Sequence, residues 1–301
     1  EDNPKLIKLN KSNEESVALV PQSKGELTHL LNKKTSSVDV IFPILHGPFG
    51  EDGTVQGLLK LAGVPFIGAG VLGSAVGMDK DIMKRLLRDA DISIAQFMVF
   101  IKGESIVFEE VKKELGMPLF VKPANLGSSI GVSKVTDEKS FQTAIENAFQ
   151  YDTKILIEEF IKGRELECSV LGNQNPIASG VGEIIPQHEF YTYEAKYIDG
   201  KGAHLEVPAK IDKKVLNDIQ TLAVKVFKTL SCEGLARVDF FFTKEGKLLV
   251  NEINTMPGFT KISMYPRLWE ASGITYTNLI SRLVELAIER FEREKNLKNN
   301  Y

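Results

Sequence analysis

The chain has 301 residues, enough for two or three domains and a sizeable buried core. Hydrophobic residues make up 43%, charged residues 26%, and the formal net charge is -3, so composition offers no basis for nucleic-acid binding or electrostatic membrane docking. No apolar run reaches the roughly 20 residues needed to span a bilayer, and two widely separated cysteines, Cys168 and Cys232, favour a reducing, cytoplasmic setting over a disulfide framework. The first residue is Glu1, with no basic n-region leading into an apolar stretch, so no signal peptide is expected here and the expectation is that some N-terminal sequence is absent.

In chain order, residues 1–36 are polar and weakly patterned. Residues 38–45, VDVIFPIL, predict a buried strand running into the glycine-rich loop HGPFGEDG. A short helix over 54–61 and a strand over 64–67 complete the rhythm of a parallel α/β unit. Helical spacing of apolar residues predicts a helix over 74–89 with Lys80 near its start, then a strand (92–101), a helix (105–115) and a strand (118–122). The loop NLGSSIG follows, then a helix over 138–149 and a strand over 154–161. The polar break KGRE suggests a domain boundary, giving units 1–76, 77–162 and 163–301. Beyond it come a strand over 165–171, a long loop rich in Tyr, Glu, Lys and Gly over 184–208, and an amphipathic helix over 213–230. Strands over 235–242 and 247–253 meet at the turn KEGK as a hairpin, and a helix over 275–294 ends the chain. No internal repeat interrupts this order.

Four clusters carry chemistry. ARVDFFF and NEINTMPGF place Asp239 on one hairpin strand and Glu252 and Asn254 on the other. Alternate strand residues share a face, so two carboxylates and an amide converge as hard oxygen ligands suited to Mg²⁺ on nucleotide phosphates. In FVKPANLGSSIGV, Lys122 ends an apolar strand, where its ammonium needs an anionic partner, and Gly127, Ser128, Ser129 and Gly131 let the loop approach a phosphate. In ILIEEFIKGRELE, Glu158 and Phe160 alternate with Glu159 and Ile161; the link either lies along an adenine edge, with Glu165 accepting from ribose, or is an exposed linker. FYTYEAKY, with Tyr191, Tyr193, Lys196 and Tyr197, suits either a water-excluding lid or a protein-interaction loop. No Walker A loop occurs at the Lys122 site, and Gly68, Gly70 and Gly73 lack the acidic residue that a nicotinamide cofactor requires.

Together HGPFGEDGTVQG, GSAVGMDK, VKPANLGSSIGVSKV, YEAKY, ARVDFF and NEINTMPGFT, in this order and spacing, resemble the D-alanine–D-alanine ligase family from about residue 38 to residue 291. The resemblance implies an α+β or α/β chain with the ATP-grasp fold behind a truncated parallel α/β N-terminal domain. It implies a cytoplasmic homodimer that uses ATP and two Mg²⁺ ions, with Mn²⁺ able to substitute, to make D-alanyl-D-alanine for peptidoglycan precursors through an acyl phosphate. By the same resemblance, Lys80, Lys122 and Lys196 contact phosphate, with Ser129 in the phosphate loop, while Glu158, Phe160, Ile161 and Glu165 surround adenine and ribose. Asp239, Glu252 and Asn254 become the metal ligands. Arg237 and the Gly258 N–H stabilise the oxyanion, Ser263 and Met264 hold the second D-alanine's carboxylate, Ser128 pairs with Tyr197, and His46 lies beside the first D-alanine. The family's opening strand, glycine-rich turn and EHxVS segment are not found in this sequence, which leaves the expected N-terminal sheet without strands to close it. The rival expectations are a D-alanine–D-lactate ligase, against which Tyr197 argues, and a non-catalytic ATP-binding module, against which Arg237 argues.

Overall fold

The computed structural model describes residues 16–30, 32–186 and 203–298. Its first segment is an antiparallel meander of β1 (Val17–Leu19), β2 (Glu26–His29) and β3 (Thr35–Ser37), within a stretch where the sequence pattern predicted no regular element. Helix α1 (Thr54–Ala62) follows and stops at Gly63, whose left-handed φ of 69° caps it. Leu59 and Ala62 pack with Val64 and Phe66 as a small core. The strands predicted over 38–45 and 64–67 shrink to one parallel bridge, Ile41 to Phe66. Two hydrogen bonds make it, Ile41 N to Pro65 O and Ile67 N to Ile41 O, each 2.9 Å. Pro43 and Pro65 supply no N–H to lengthen the ladder, which is the physical reason for the shortfall.

The single helix predicted over 74–89 is two: α2 (Val71–Met78) and α3 (Lys80–Asp89). Asp79 ends the first in extended backbone and caps the second, its carboxylate accepting from the amides of Asp81 and Ile82. Periodicity alone cannot reveal such a break, because apolar spacing continues through it. Next come β4 (Phe97–Ile101), α4 (Phe108–Leu115), β5 (Leu119–Pro123), β6 (Ser133–Val135), α5 (Glu138–Ala148) and β7 (Lys154–Glu159). They form a four-stranded antiparallel sheet in the order β4-β7-β5-β6. Helix α5 opens with a capping box between Asp137 and Ser140. Phe108, Val111, Phe141 and Ile145 of α4 and α5 pack on Leu119, Val121, Ile155 and Ile157 of the sheet.

The remaining strands, β8 (Gly163–Gly172), β9 (Ile177–Pro186), β10 (Ala203–Glu206), β11 (Gly234–Thr243) and β12 (Leu248–Asn254), form a second sheet in the order β10-β9-β8-β11-β12. Strands β6, β9 and β10 and helix α7 (Met264–Ala271) were not foreseen, and the end of β9 and all of β10 fall in the stretch 184–208 expected as a loop; β9 begins in the alternation IASGVG, where glycine and serine dilute the apolar signal. Helix α6 (Lys213–Thr229) lays Ile219, Ala223, Val226 and Phe227 on this sheet, and Met83 and Leu87 of α3 join the same core. Helix α8 (Tyr276–Lys295) packs Leu279, Leu283 and Leu286 against Tyr265 and Trp269 of α7. No described helix is long and apolar enough to cross a membrane.

Arg290 ties α8 to the backbone around Phe66 and Gly68. It is 4% exposed, donates to the carbonyls of Phe66 and Gly68, and stacks 4.3 Å from the Phe66 ring centroid. Replacing it with Leu keeps bulk but strips two buried carbonyls of their donor, which should cost on the order of 2–4 kcal/mol. Urea unfolding followed by the fluorescence of Trp269, the sole tryptophan, should show the lower midpoint.

Candidate active site

Strand β11 sorts its residues by face. Ala236, Val238 and Phe240 are buried in the core beneath, which leaves Arg237 and Asp239 on the other face. Across the sheet Asp239 is paired with Glu167 of β8 on one side and Glu252 of β12 on the other, so three carboxylates stand in one row. Arg237, two residues along, is paired with Asn254. Its guanidinium grips Asp239 through two hydrogen bonds, 2.7 and 2.8 Å, and lies 3.0 Å from Glu167. Burial opposes the Arg237 charge, but Asp239 and Glu167 outweigh it and raise its pKa still further. The Asn254 amide nitrogen donates to Asp239 at 2.9 Å, so its oxygen is the atom left for a cation. Among the described residues no trio of His, Cys, Asp or Glu gathers around one point. A divalent ion here would therefore be held by two carboxylates, Asp239 and Glu252, with the Asn254 oxygen as third protein ligand. That all-oxygen set fits Mg²⁺.

Three buried lysines gather beside this row, Lys80 and Lys84 from helix α3 and Lys122 from the four-stranded sheet. Lys80 opens α3, is 7% exposed, donates to the Leu126 carbonyl at 2.6 Å and lies 3.6 Å from Glu252. Lys122 of β5, also 7% exposed, lies 2.7 Å from Glu158 of β7. Lys84, one helical turn beyond Lys80, lies 3.2 Å from the other oxygen of Glu158. Burial pulls the pKa values of Lys80 and Lys84 down, opposed chiefly by Glu252 and by Glu158 respectively. For Glu158 burial acts upward, yet Lys122 and Lys84 prevail and hold it below the ordinary carboxylate range. The result is a cluster of lysines and carboxylates shielded from water, to which an added polyanion would bring further partners for the lysines.

Around the cluster lie the loops. Ser128 and Ser129 both have positive φ, 56° and 60°, a conformation costing roughly 1–2 kcal/mol for a residue with a Cβ, and such strain gathers at functional loops. At Gly131 any Cβ would sit 2.8 Å from Pro123 and Tyr151 side-chain atoms. A cavity of about 300 Å³ lies between the link from β7 to β8 and the β11–β12 turn, lined by Phe160, Ile161, Lys162 and Lys244 among others. Phe160 also packs against Phe120 and carries Lys134 over its ring at 5.1 Å. Glu165 stands one alternation before Glu167 on β8. In the loop after β12, Ser263 caps α7 and its hydroxyl lies 2.9 Å from that of Thr260. Gly258 is so close that a Cβ there would sit 3.0 Å from Ser263 Oγ. Met264 buries its side chain beside Gly182, so only its backbone amide, in the first turn of α7, can serve a ligand. His46 lies 3.6 Å from Glu51, whose other oxygen accepts from the Gly47 amide at 2.6 Å. Tyr191, Tyr193, Lys196 and Tyr197 lie outside the described residues.

Two antiparallel sheets whose carboxylates are answered by buried lysines of α3 and β5 have the ATP-grasp architecture. A model of the D-alanine–D-alanine ligase C-terminus matches residues 86–285, and one of the N-terminus matches residues 2–69. A D-alanine–D-alanine ligase of Oceanobacillus iheyensis is 54% identical over 304 residues, spanning 100% of this chain and 83% of that protein. Among solved structures, the D-alanine–D-alanine ligase of Coxiella burnetii superposes with a TM-score of 0.84 at 39% identity, covering 93% of this chain and 76% of that one. The Bacillus anthracis enzyme complexed with ATP gives 0.74 at 32%, covering 85% and 81%. The chain belongs to the D-alanine–D-alanine ligase family.

Three side chains of the site escaped the sequence reading. Lys84 was legible as the i+4 neighbour of Lys80, and Glu167 as the next alternate residue after Glu165; nothing local marks Glu51 as the partner of His46. His46 has its pKa raised, first by the Glu51 carboxylate beside it, with help from the Met256 backbone and against burial. A histidine raised in the folded state stabilises it below the unfolded pKa, and that contribution disappears as pH climbs through the folded value. The NMR titration of His46 should therefore have a midpoint above that of a free histidine, and Glu51→Gln should lower it.

Proposed function

We propose that this chain joins two D-alanine molecules with ATP, releasing D-alanyl-D-alanine, ADP and phosphate. The observation that carries the reading is a run of buried contacts: Lys80 of α3 lies beside Glu252 in the row of Arg237, Asp239, Glu252 and Asn254, and Lys84 of the same helix shares Glu158 with Lys122 of β5. Family membership adds the substrate class, and a solved relative complexed with ATP supports nucleotide use.

In this reading a carboxylate oxygen of the first D-alanine attacks the γ-phosphorus, the bond from that phosphorus to ADP breaks, and an acyl phosphate results. Lys80, Lys122 and Lys196 offset the phosphate charge, and the Ser129 loop cradles it; the transfer is chiefly positioning and electrostatics. Glu158, Phe160, Ile161 and Glu165 border adenine and ribose, beside the cavity that Phe160 and Ile161 line. Asp239, Glu252 and Asn254 would hold two Mg²⁺ ions, which supply charge neutralisation at the phosphates when bound. The neutral amine of the second D-alanine then attacks the acyl carbon and phosphate leaves. Arg237 and the Gly258 N–H stabilise the tetrahedral oxyanion, Ser263 and the Met264 amide hold the second carboxylate, and His46 flanks the first substrate. A Ser128–Tyr197 pair orients the two substrates, and the lid carrying Lys196 and Tyr197 excludes water from the acyl phosphate. The setting proposed is a cytoplasmic homodimer supplying peptidoglycan precursors.

The test is ADP formation with ATP alone and with added D-alanine, D-lactate or D-serine, the products being separated. Strong dependence on D-alanine with D-alanyl-D-alanine as the main product is the expected result; ADP formation indifferent to D-alanine would sink the reading. Glu252→Gln should then slow ADP formation by about one to two decades and raise the Mg²⁺ concentration required. An unchanged Mg²⁺ titration would remove Glu252 from the metal site.

A further inference from the structure

The most deeply buried charged side chain among the described residues is Lys84, at 0% exposure, and the proposed reaction gives it no task. Its ammonium makes no hydrogen bond among the described residues; its neighbours are Glu158 Oε1 at 3.2 Å and the Phe97 ring, 5.5 Å away at the centroid. The other oxygen of Glu158 is 2.7 Å from Lys122. One carboxylate is thus divided between two lysines, one of which is a proposed phosphate contact.

We propose that Lys84 is a positioning residue that keeps a counter-charge on Glu158 so that Lys122 can turn to the nucleotide phosphates. A carboxylate left alone in a buried site carries a large desolvation penalty. With Lys122 as its only cation, Glu158 would oppose every approach of Lys122 to a phosphate, because that approach would strip it of its partner. Lys84 removes this conflict by remaining on Oε1 when Lys122 moves. The backbone around it is built to hold it there. Lys154 of β7, the strand carrying Glu158, pairs with Asp79 at 2.6 Å and Asp81 at 3.2 Å, and these are the cap and first turn of α3, the helix carrying Lys84. Lys80 and Lys84 are one turn apart on that helix, so both face the cluster. The inference rests on Lys122 contacting phosphate in the proposed reaction.

Binding of ADP and of adenosine to the full chain, measured by calorimetry without D-alanine, tests it separately from ligation. Lys84→Met keeps the aliphatic stem and removes the charge. It should weaken ADP binding roughly tenfold or more, equivalent to ~1.4 kcal/mol, and leave adenosine binding nearly unchanged. Equal losses for ADP and adenosine, or no loss for either, would overturn the proposal. The Glu158→Gln background supplies the second arm: with no carboxylate to hold, adding Lys84→Met should change ADP binding little, whereas a further tenfold-scale loss (~1.4 kcal/mol) would overturn the proposal. This pair serves also if Lys84→Met alone does not fold, since the neutral amide introduced by Glu158→Gln no longer demands a second cation. A wild type that binds ADP yet shows no D-alanine-dependent ADP formation would fail the proposed reaction while leaving the Lys84 result readable. Absence of ADP binding by the wild type would overturn both.

Discussion

Burying several ammonium groups close together is the constraint around which this molecule is organised. Lys80, Lys84 and Lys122 are all withdrawn from water, and without anions each would lose its proton or expel the others. Glu158 answers two of them and Glu252 the third. These contacts cross between elements: Lys84 and Lys80 come from α3, Lys122 and Glu158 from the four-stranded sheet, and Glu252 from the edge of the five-stranded one. The contacts that pair the buried lysines therefore also join the two sheets through α3. The bridge from Ile94 to Val250 and the hydrogen bond from Val250 N to Ser93 O reinforce that join.

The five-stranded sheet contributes through its pleat. Its lower face is a continuous apolar core under α6 and α3, and this forces Glu167, Arg237, Asp239 and Glu252 onto the opposite face, where Arg237 offsets part of the carboxylates' charge. Arg237 is the keystone of that row, since two acidic neighbours fix its guanidinium and it in turn fixes Asp239. A guanidinium held by two carboxylates in this way has little freedom to reorient. The close approach of Gly258 to Ser263 shows the same tight fit at the backbone level, since a Cβ at position 258 would sit 3.0 Å from Ser263 Oγ.

Much of the site was legible because its grammar is local. A hairpin with a short turn brings Asp239 opposite Glu252 by a period of two, and a lysine ending an apolar strand asks for an anion wherever it occurs. The family resemblance extended this to Arg237, Gly258 and Ser263 through motifs that each occupy a few consecutive residues. Less was legible where hydrogen-bond supply decided the outcome. The apolar stretch 38–45 has the composition of a strand, but Pro43 and Pro65 leave it a single bridge, and the helix expected over 74–89 is cut at Asp79 by a side chain that prefers to cap.

The sequence by itself determined the class of chain, the grouping of Asp239, Glu252 and Asn254 on one hairpin and the place of Lys122 on an apolar strand, because those depend on residue type and short-range periodicity. Only the tertiary structure decided which charges answer which. Nothing between Lys84 and Glu158 in the chain announces their pairing, and it exists because Lys154, Asp79 and Asp81 clamp α3 onto β7. Likewise Glu167 reads as one more alternating strand residue until β11 sets Arg237 and Asp239 beside it. Counter-charges in a buried site are chosen by whatever the fold carries within a few ångströms, since the cost of an unpaired ion falls on the assembled interior and not on the local chain.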